Sequence, residues 1–262
     1  MKRAEYFRDI KGVVVSSVDV GERDRLITVL TAEEGLVTLF APSARVAKSR
    51  LMSPTQLLSY STFTVAERGE RLVLKEAHSL DTFYGLREGL ARAALASYIA
   101  EVISYTGTAQ PDAQLLRLVL NTLYATEREL YPLSQIKAAF ELRYASELGF
   151  MPDVDGCSIC GGAPTDAVLH IEQGSLVCKD CRGTLEESLR RDEAPHESLV
   201  ALLSAATISA IAYIISAPLE RLFSFKLEED ELSLLGIAAE EYLLYHTDHI
   251  YTSLEFYKQV CD

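Results

Sequence analysis

Four cysteines constrain this chain more than any other feature. They stand as Cys157-Ser-Ile-Cys160 and Cys178-Lys-Asp-Cys181, with 17 residues between the pairs. A C-x-x-C turn aims two thiolates at one point, and two such turns at this separation fit a tetrahedral zinc site made of four thiolates. Gly161, Gly162 and Gly183 beside the pairs let the backbone fold round the sulfurs. Residues 167–171 and 176–177 read as a hairpin, so 153–183 is expected to form a zinc-ribbon-like module. So short and loop-rich a segment buries little core by itself, and bound Zn2+ would supply its folding free energy. Four thiolates leave no open coordination position, which makes the zinc structural.

Two other readings compete for these residues. Buried or redox-active cysteines are one. The other is catalytic: His170-Ile-Glu172 ahead of Cys178-x-x-Cys181 resembles the H-x-E…P-C-x-x-C pattern of zinc deaminases. Val177 rather than proline precedes Cys178, only five residues separate Glu172 from Cys178, and Cys157 and Cys160 are left unexplained. Five cysteines in 262 residues are too few for a disulfide scaffold. The cluster therefore points to metal in a reducing compartment, and a cytoplasmic location is expected.

Residues 12–77 read as β. The runs 12–18, 25–30, 36–41, 57–65 and 71–77 are rich in Val, Thr, Leu and aromatics and are separated by turn residues. Five strands in so short a stretch suggest a closed barrel of the OB type, with an SH3-like barrel as the alternative. From residue 81 the period becomes helical. Leu90, Ala94, Leu95, Tyr98, Val102 and Tyr105 follow one face, and 114–125 makes a second helix. A third spans 134–148 with Ile136, Phe140, Tyr144 and Leu148 as its stripe. Lys137–Glu141 and Arg143–Glu147 are expected on its outer faces as i, i+4 pairs. Helices over 196–216 and 232–245 and an amphipathic stretch near 248–260 complete the chain. The expected organisation is α+β: a barrel domain over 1–80, a helical domain over 81–152 and 184–262, and the zinc module inserted at 153–183.

Residues 199–217 carry no charge, a length that could span a bilayer. Four hydroxyl side chains, much alanine and the lack of a flanking Lys/Arg bias favour a buried helix of a soluble domain. Residues 1–11 alternate charge and apolar groups, so no secretory signal is expected.

The formal net charge is −13, which taken alone argues against nucleic acid. Divided by segment it says something else. Residues 1–80 hold 12 Lys and Arg against 10 Asp and Glu, a balance of +2; residues 81–262 hold 13 against 28, a balance of −15. The barrel is mildly basic. Arg45-Val-Ala-Lys48-Ser-Arg50 puts three cations in six residues, and Lys2, Arg3, Lys11, Arg25 and Arg71 could join it on one face. A cationic groove with aromatics is how OB-folds hold single strands. A solvated charged loop is the plainer reading. The sequence shows no phosphate-binding glycine loop and no nucleophile triad, and His246-Thr-Asp-His249 reads as a helix-end feature.

The order of these pieces resembles the bacterial recombination mediator family RecO over almost the full length. Gly12-Val13-Val14-Val15 and Gly21-Glu22-Arg23-Asp24 match its first strand and turn. Ala44-Arg45 and Lys48-Ser49-Arg50 match its basic loop. Phe140-Glu141-Leu142-Arg143 with Gly149-Phe150-x-Pro152 matches the helix before its cysteines, and Cys157, Cys160, Gly161, Gly174, Val177, Cys178 and Cys181 match its zinc motif. Ser43, Val46 and Gln173 depart from the family pattern. The resemblance implies a non-enzymatic protein of the cytoplasm and nucleoid, with no membrane and no small-molecule substrate. It implies binding of single- and double-stranded DNA, strand annealing, partnership with RecR in the RecF repair pathway, and help in loading RecA. It also implies docking of the acidic tail of single-stranded DNA-binding protein on the helical part, where Lys137 or Arg143 could serve. The alternative function is a zinc-stabilised protein-interaction adaptor that does not touch DNA.

Overall fold

The computed structural model describes residues 6–185 and 200–261. It divides into two compact units, one of residues 1–128 with 251–262 and one of residues 129–250. Packing therefore groups the chain differently from the expected segments: the helices nearest the barrel in sequence, and the last helix, belong to the barrel's unit.

The first unit is built on five strands, β1 (Phe7–Val20), β2 (Asp24–Thr31), β3 (Gly35–Ala41), β4 (Tyr60–Arg68) and β5 (Arg71–Asp81). They close in the order β1-β2-β3-β5-β4, with β3 and β5 parallel and every other pair antiparallel. This is the order of an OB barrel. Alternation along the strands sends Ile10, Val14, Ile27, Val29, Leu39, Phe63, Val65 and Leu74 inward to one core. A long first strand that pairs with two neighbours must bend, and a bulge between Val14 and Ser16 lets it. At that bulge the β3–β4 connection is bonded back onto β1, Leu58 N–H to the Val14 carbonyl at 2.8 Å and Val14 N–H to the Ser59 carbonyl at 3.0 Å.

Helices α1 (Leu90–Thr106) and α2 (Ala113–Glu127) follow. Asp112 caps α2 by accepting from Leu115 N–H at 2.8 Å. The last helix, α6 (Thr252–Cys261), packs on α1, and Tyr251 meets Tyr98 edge-on at 5.8 Å.

The second unit centres on α3 (Leu133–Glu147), which packs against α4 (Ala205–Ser216) and α5 (Glu229–Thr247). The outer-face position expected of Lys137 and Glu141 is corrected by this packing. Both are buried, because neighbours lie on more than one side of α3, and Lys137 bonds Glu141 at 2.8 Å and Glu240 of α5 at 2.7 Å. A four-stranded sheet completes the unit: β6 (Asp153–Cys157), β7 (Asp166–His170), β8 (Ser175–Cys178) and β9 (Val200–Ser204), in the order β6-β8-β7-β9.

Strand β9 corrects the helix expected over 196–216. Residues 196–199 lie outside the described residues, 200–204 pair antiparallel with β7, and the helix begins only at Ala205. A five-residue apolar run has no period of its own to decide between strand and helix. The free edge of β7 decides it, and Ser204 then caps α4 by accepting from Thr207 N–H at 3.2 Å. Among the described residues no helix is long and apolar enough to cross a membrane.

Candidate metal centre and nucleic-acid interface

The two C-x-x-C turns are brought together by the β7–β8 hairpin and by β6 alongside β8. Cys157 ends β6, Cys178 ends β8, and all four Sγ atoms lie within 4.8 Å of one another. The Cys160 and Cys178 sulfurs are 3.8 Å apart. Metal–sulfur bonds of about 2.3 Å in a tetrahedron place sulfurs about 3.8 Å apart, so the cluster has the size for such an ion. Backbone bonds shape the first turn: Gly161 N–H donates to the Cys157 carbonyl, and Cys157 N–H to the Gly162 carbonyl, both at 2.8 Å. Gly161 sits at φ +72°, where only glycine is unstrained. Gly174 in the hairpin turn has φ +60°, and a Cβ there would stand 2.5 Å from the Tyr242 hydroxyl.

The cluster's electrostatics suit a cation. Burial alone would push the Cys157 thiol up. Donation from the N–H groups of Cys178, Cys160 and Ile159 outweighs it and holds the thiol at about 6. Cys181 is pushed the other way, to about 12, first by its hydrogen bond with Cys178, and burial and the Cys157 charge add to it. Four thiols this close cannot all ionise unaided, and a divalent ion removes that conflict. His170 is not part of the cluster. It is buried in β7, so the deaminase arrangement is not formed there. His246 is held by the Ile171 carbonyl at 3.0 Å and stacks on Phe150 at 4.5 Å.

The expected DNA-contact residues fall into two groups on the barrel. Arg25 and Arg45 converge on Asp19, at 3.2 and 3.1 Å, and Arg45 also donates to the Gly21 carbonyl at 2.6 Å. Arg45 N–H bonds the Arg23 carbonyl at 2.9 Å, and Asp24 accepts from Ser43 N–H at 2.7 Å. The basic loop is thereby braced against the β1–β2 turn. Beyond the brace, Lys48, Arg50 and Arg71 are exposed and form no ion pair among the described residues. Arg71 starts β5, opposite Arg68. Lys11 stands apart, in the part of β1 that pairs with β4, with its Nζ 5.2 Å above the Tyr60 ring. Lys2 and Arg3 lie outside the described residues.

Sequence reasoning missed Asp19 as the brace and Arg23 as an exposed cation beside it. Asp19 sits just before the turn Gly21–Asp24 and Arg23 within it, and their meeting with residue 45 depends on a fold-back that no local pattern encodes.

Lys137 and Arg143, expected to meet a partner, are engaged within the second unit. Arg143 pairs with Glu147 at 3.0 Å and donates to the carbonyls of Ile214, Ile215 and Ala217 at 3.3, 2.8 and 3.2 Å. These are the orphan acceptors at the end of α4.

Comparison with known proteins agrees with this architecture. The family described as recombination protein O, N terminal, matches residues 6–83, and recombination protein O, C terminal, matches residues 87–255. DNA repair protein RecO of Acetivibrio thermocellus is 29 % identical over 249 residues, 94 % of each chain. DNA repair protein RecO of Myxococcus xanthus is 35 % identical over 202 residues, 76 % of this chain and 82 % of its own. The barrel and the cysteine-bearing part thus fall to the two halves of a single family, in the same order and over nearly all the described residues, and the chain belongs to the RecO family.

Proposed function

We propose that this protein is a DNA-binding recombination mediator that works without a catalytic centre. It binds single- and double-stranded DNA through the barrel, promotes annealing of complementary strands and helps load RecA in the cell's repair of DNA, acting with RecR in the cytoplasm at the nucleoid. Relatives named as DNA repair proteins support the repair role.

The observation that carries the reading is the braced loop. Asp19 and Asp24 hold residues 43–45 against the β1–β2 turn, and Lys48 and Arg50 extend from it into solvent. A fixed cationic loop neutralises phosphates and lets two strands approach, which is what annealing requires. Arg71 extends the same charge, Arg25 and Arg45 steady the loop, and Lys11 offers a further contact. Structural Zn2+ on Cys157, Cys160, Cys178 and Cys181 holds the second unit's ribbon. Docking of the acidic tail of single-stranded DNA-binding protein falls to the helical part, with Lys137 and Arg143, which also form ion pairs within the second unit, as the candidate cations.

The test is annealing of complementary oligonucleotides by wild type and by Lys48→Glu/Arg50→Glu, which leaves the Arg45 brace intact. Annealing and oligonucleotide affinity should fall together, and the salt slope of binding should flatten. An unchanged rate and slope would sink the reading in favour of an adaptor that binds protein only.

A further inference from the structure

The four sulfurs of the cluster are not equivalent. Cys157 is 3 % exposed and packs with Val168, Val177 and Leu185. Cys178 and Cys181 are half-buried against the same apolar group. Cys160 stands outside that group and is exposed. Packing thus shields one end of the cluster and leaves the other open to solutes.

A cleft of about 320 Å³ opens at the exposed end. Cys160 and Cys178 line it, and Cys157 and Cys181 do not. The two lining sulfurs are the pair separated by 3.8 Å, and each belongs to a different C-x-x-C turn. Asp166, Lys179 and Asp180 are the charged groups of the lining, and the segment 162–165 supplies the rest. A water molecule takes up about 30 Å³, so the cleft admits a small solute with ease. Two carboxylates against one ammonium favour a neutral solute over an anion.

We propose that Cys160 and Cys178 are a peroxide-sensitive pair, converted by hydrogen peroxide to a disulfide with loss of the metal. The proposal rests on the zinc reading of the cluster and is independent of the DNA-binding one. A sulfur that holds a divalent ion is a thiolate, and the thiolate is the nucleophile. Exposure makes Cys160 the attacking sulfur, and Cys178 is the resolving one beside it. The Cys160 thiolate attacks one peroxide oxygen, the O–O bond breaks, a sulfenic acid forms on Cys160 and hydroxide leaves. The Cys178 thiolate then attacks the Cys160 sulfur and expels a second hydroxide. Two thiolates and one peroxide give one disulfide and two hydroxides; the sulfurs lose two electrons and the peroxide gains them.

Closing the 3.8 Å gap to the roughly 2 Å of an S–S bond asks only a small shift of two adjoining turns. The disulfide withdraws two of the four donors, and Cys157 and Cys181 alone do not make a closed zinc site. It also ties the loop after β6 to the end of β8, so the two turns stay together without the ion. A thiol reductant restores both thiolates by exchange, which makes the change reversible.

The test uses the full-length Cys261→Ser protein as isolated, which removes the exposed cysteine outside the cluster. Hydrogen peroxide is added, zinc release is followed with a chromophoric zinc indicator, and oxidised cysteines are mapped by mass spectrometry of non-reduced peptides. One zinc per chain should appear in step with a Cys160–Cys178 disulfide, and dithiothreitol with added zinc should restore thiols and metal together. Cys160→His in the same background keeps a fourth zinc ligand and removes the attacking sulfur, so peroxide-driven release should slow at least about tenfold. The peptide map of the parent protein decides the pairing even where that variant binds no zinc. Zinc retained under peroxide, release with a different disulfide or with sulfonic acids alone, or release from Cys160→His at the parental rate overturns the proposal and leaves a structural zinc standing. If the parent protein carries no zinc as isolated, the zinc reading itself fails.

Discussion

The guanidinium of Arg143 donates to the carbonyl oxygen of Ile215 at 2.8 Å, from one helix to the end of another. Two further carbonyls of that end, Ile214 and Ala217, share the same nitrogen. The positive charge sits where the helix dipole is negative, so it both satisfies orphan acceptors and neutralises the partial charge. Arg143→Met should cost about 1–3 kcal/mol of stability in chemical denaturation, because those part-buried acceptors lose their donor. Arg143→Lys should recover part of the loss, since an ammonium supplies the charge without the fork.

Lys137 is the positive centre of a trio with the buried Glu141 and the half-buried Glu240. Burial would lower its pKa, but the two carboxylates prevail and raise it. A raised folded-state value means the contribution is fully present below the unfolded lysine value of about 10.4 and fades as pH rises through the folded one. Lys137→Met should cost about 3–5 kcal/mol near neutral pH, because it strands buried carboxylate charge. The variant should regain part of that stability as pH is lowered toward the carboxylate range, a trend that denaturation at several pH values would show.

Glu101 caps the terminal helix α6 although 151 positions separate it from Thr252 along the chain. Its carboxylate accepts from Thr252 N–H at 3.2 Å and Ser253 N–H at 2.9 Å, and from both hydroxyls. Burial pushes its pKa up, yet the hydrogen bonds from Ser253 and Thr252 prevail and lower it. The stabilisation is therefore complete above the unfolded glutamate value of about 4.3 and is lost as pH falls through the depressed value. Glu101→Ala should cost about 1–2 kcal/mol and raise amide exchange in α6.

Metal removal should act on the second unit. Metal analysis should find one zinc per chain. Chelation, or Cys157→Ser, should melt the β6–β8 ribbon and expose Val168 and Val177, which pack with Cys157 and Leu185. A metal-free protein with unchanged amide protection in those strands would contradict a structural metal.

Local pattern was enough for much of this fold. The alternation of Val, Ile and Leu in the barrel strands reads as five half-buried strands, and the closed order follows. The C-x-x-C spacing delivers the cluster because each pair is set by its own turn. The inward placement of Lys137 and Glu141 was not legible, because an i, i+4 ion pair looks the same on a solvated face as in a packed one. Strand β9 was not legible for a related reason. Val200–Ser204 takes its form from the edge of β7, which lies well before it in the chain.

The sequence by itself determined the five barrel strands, the helices flanking the cysteine segment, the four sulfurs and the placement of charge, −15 after residue 80 and +2 before it. Each depends on residues close in the chain, where period, turn chemistry and composition act directly. Tertiary structure alone decided which charges stay free. Asp19 takes Arg25 and Arg45, Glu141 and Glu240 take Lys137, and the end of α4 takes Arg143, whereas Lys48, Arg50 and Arg71 reach solvent. Burial and pairing are properties of neighbours in space.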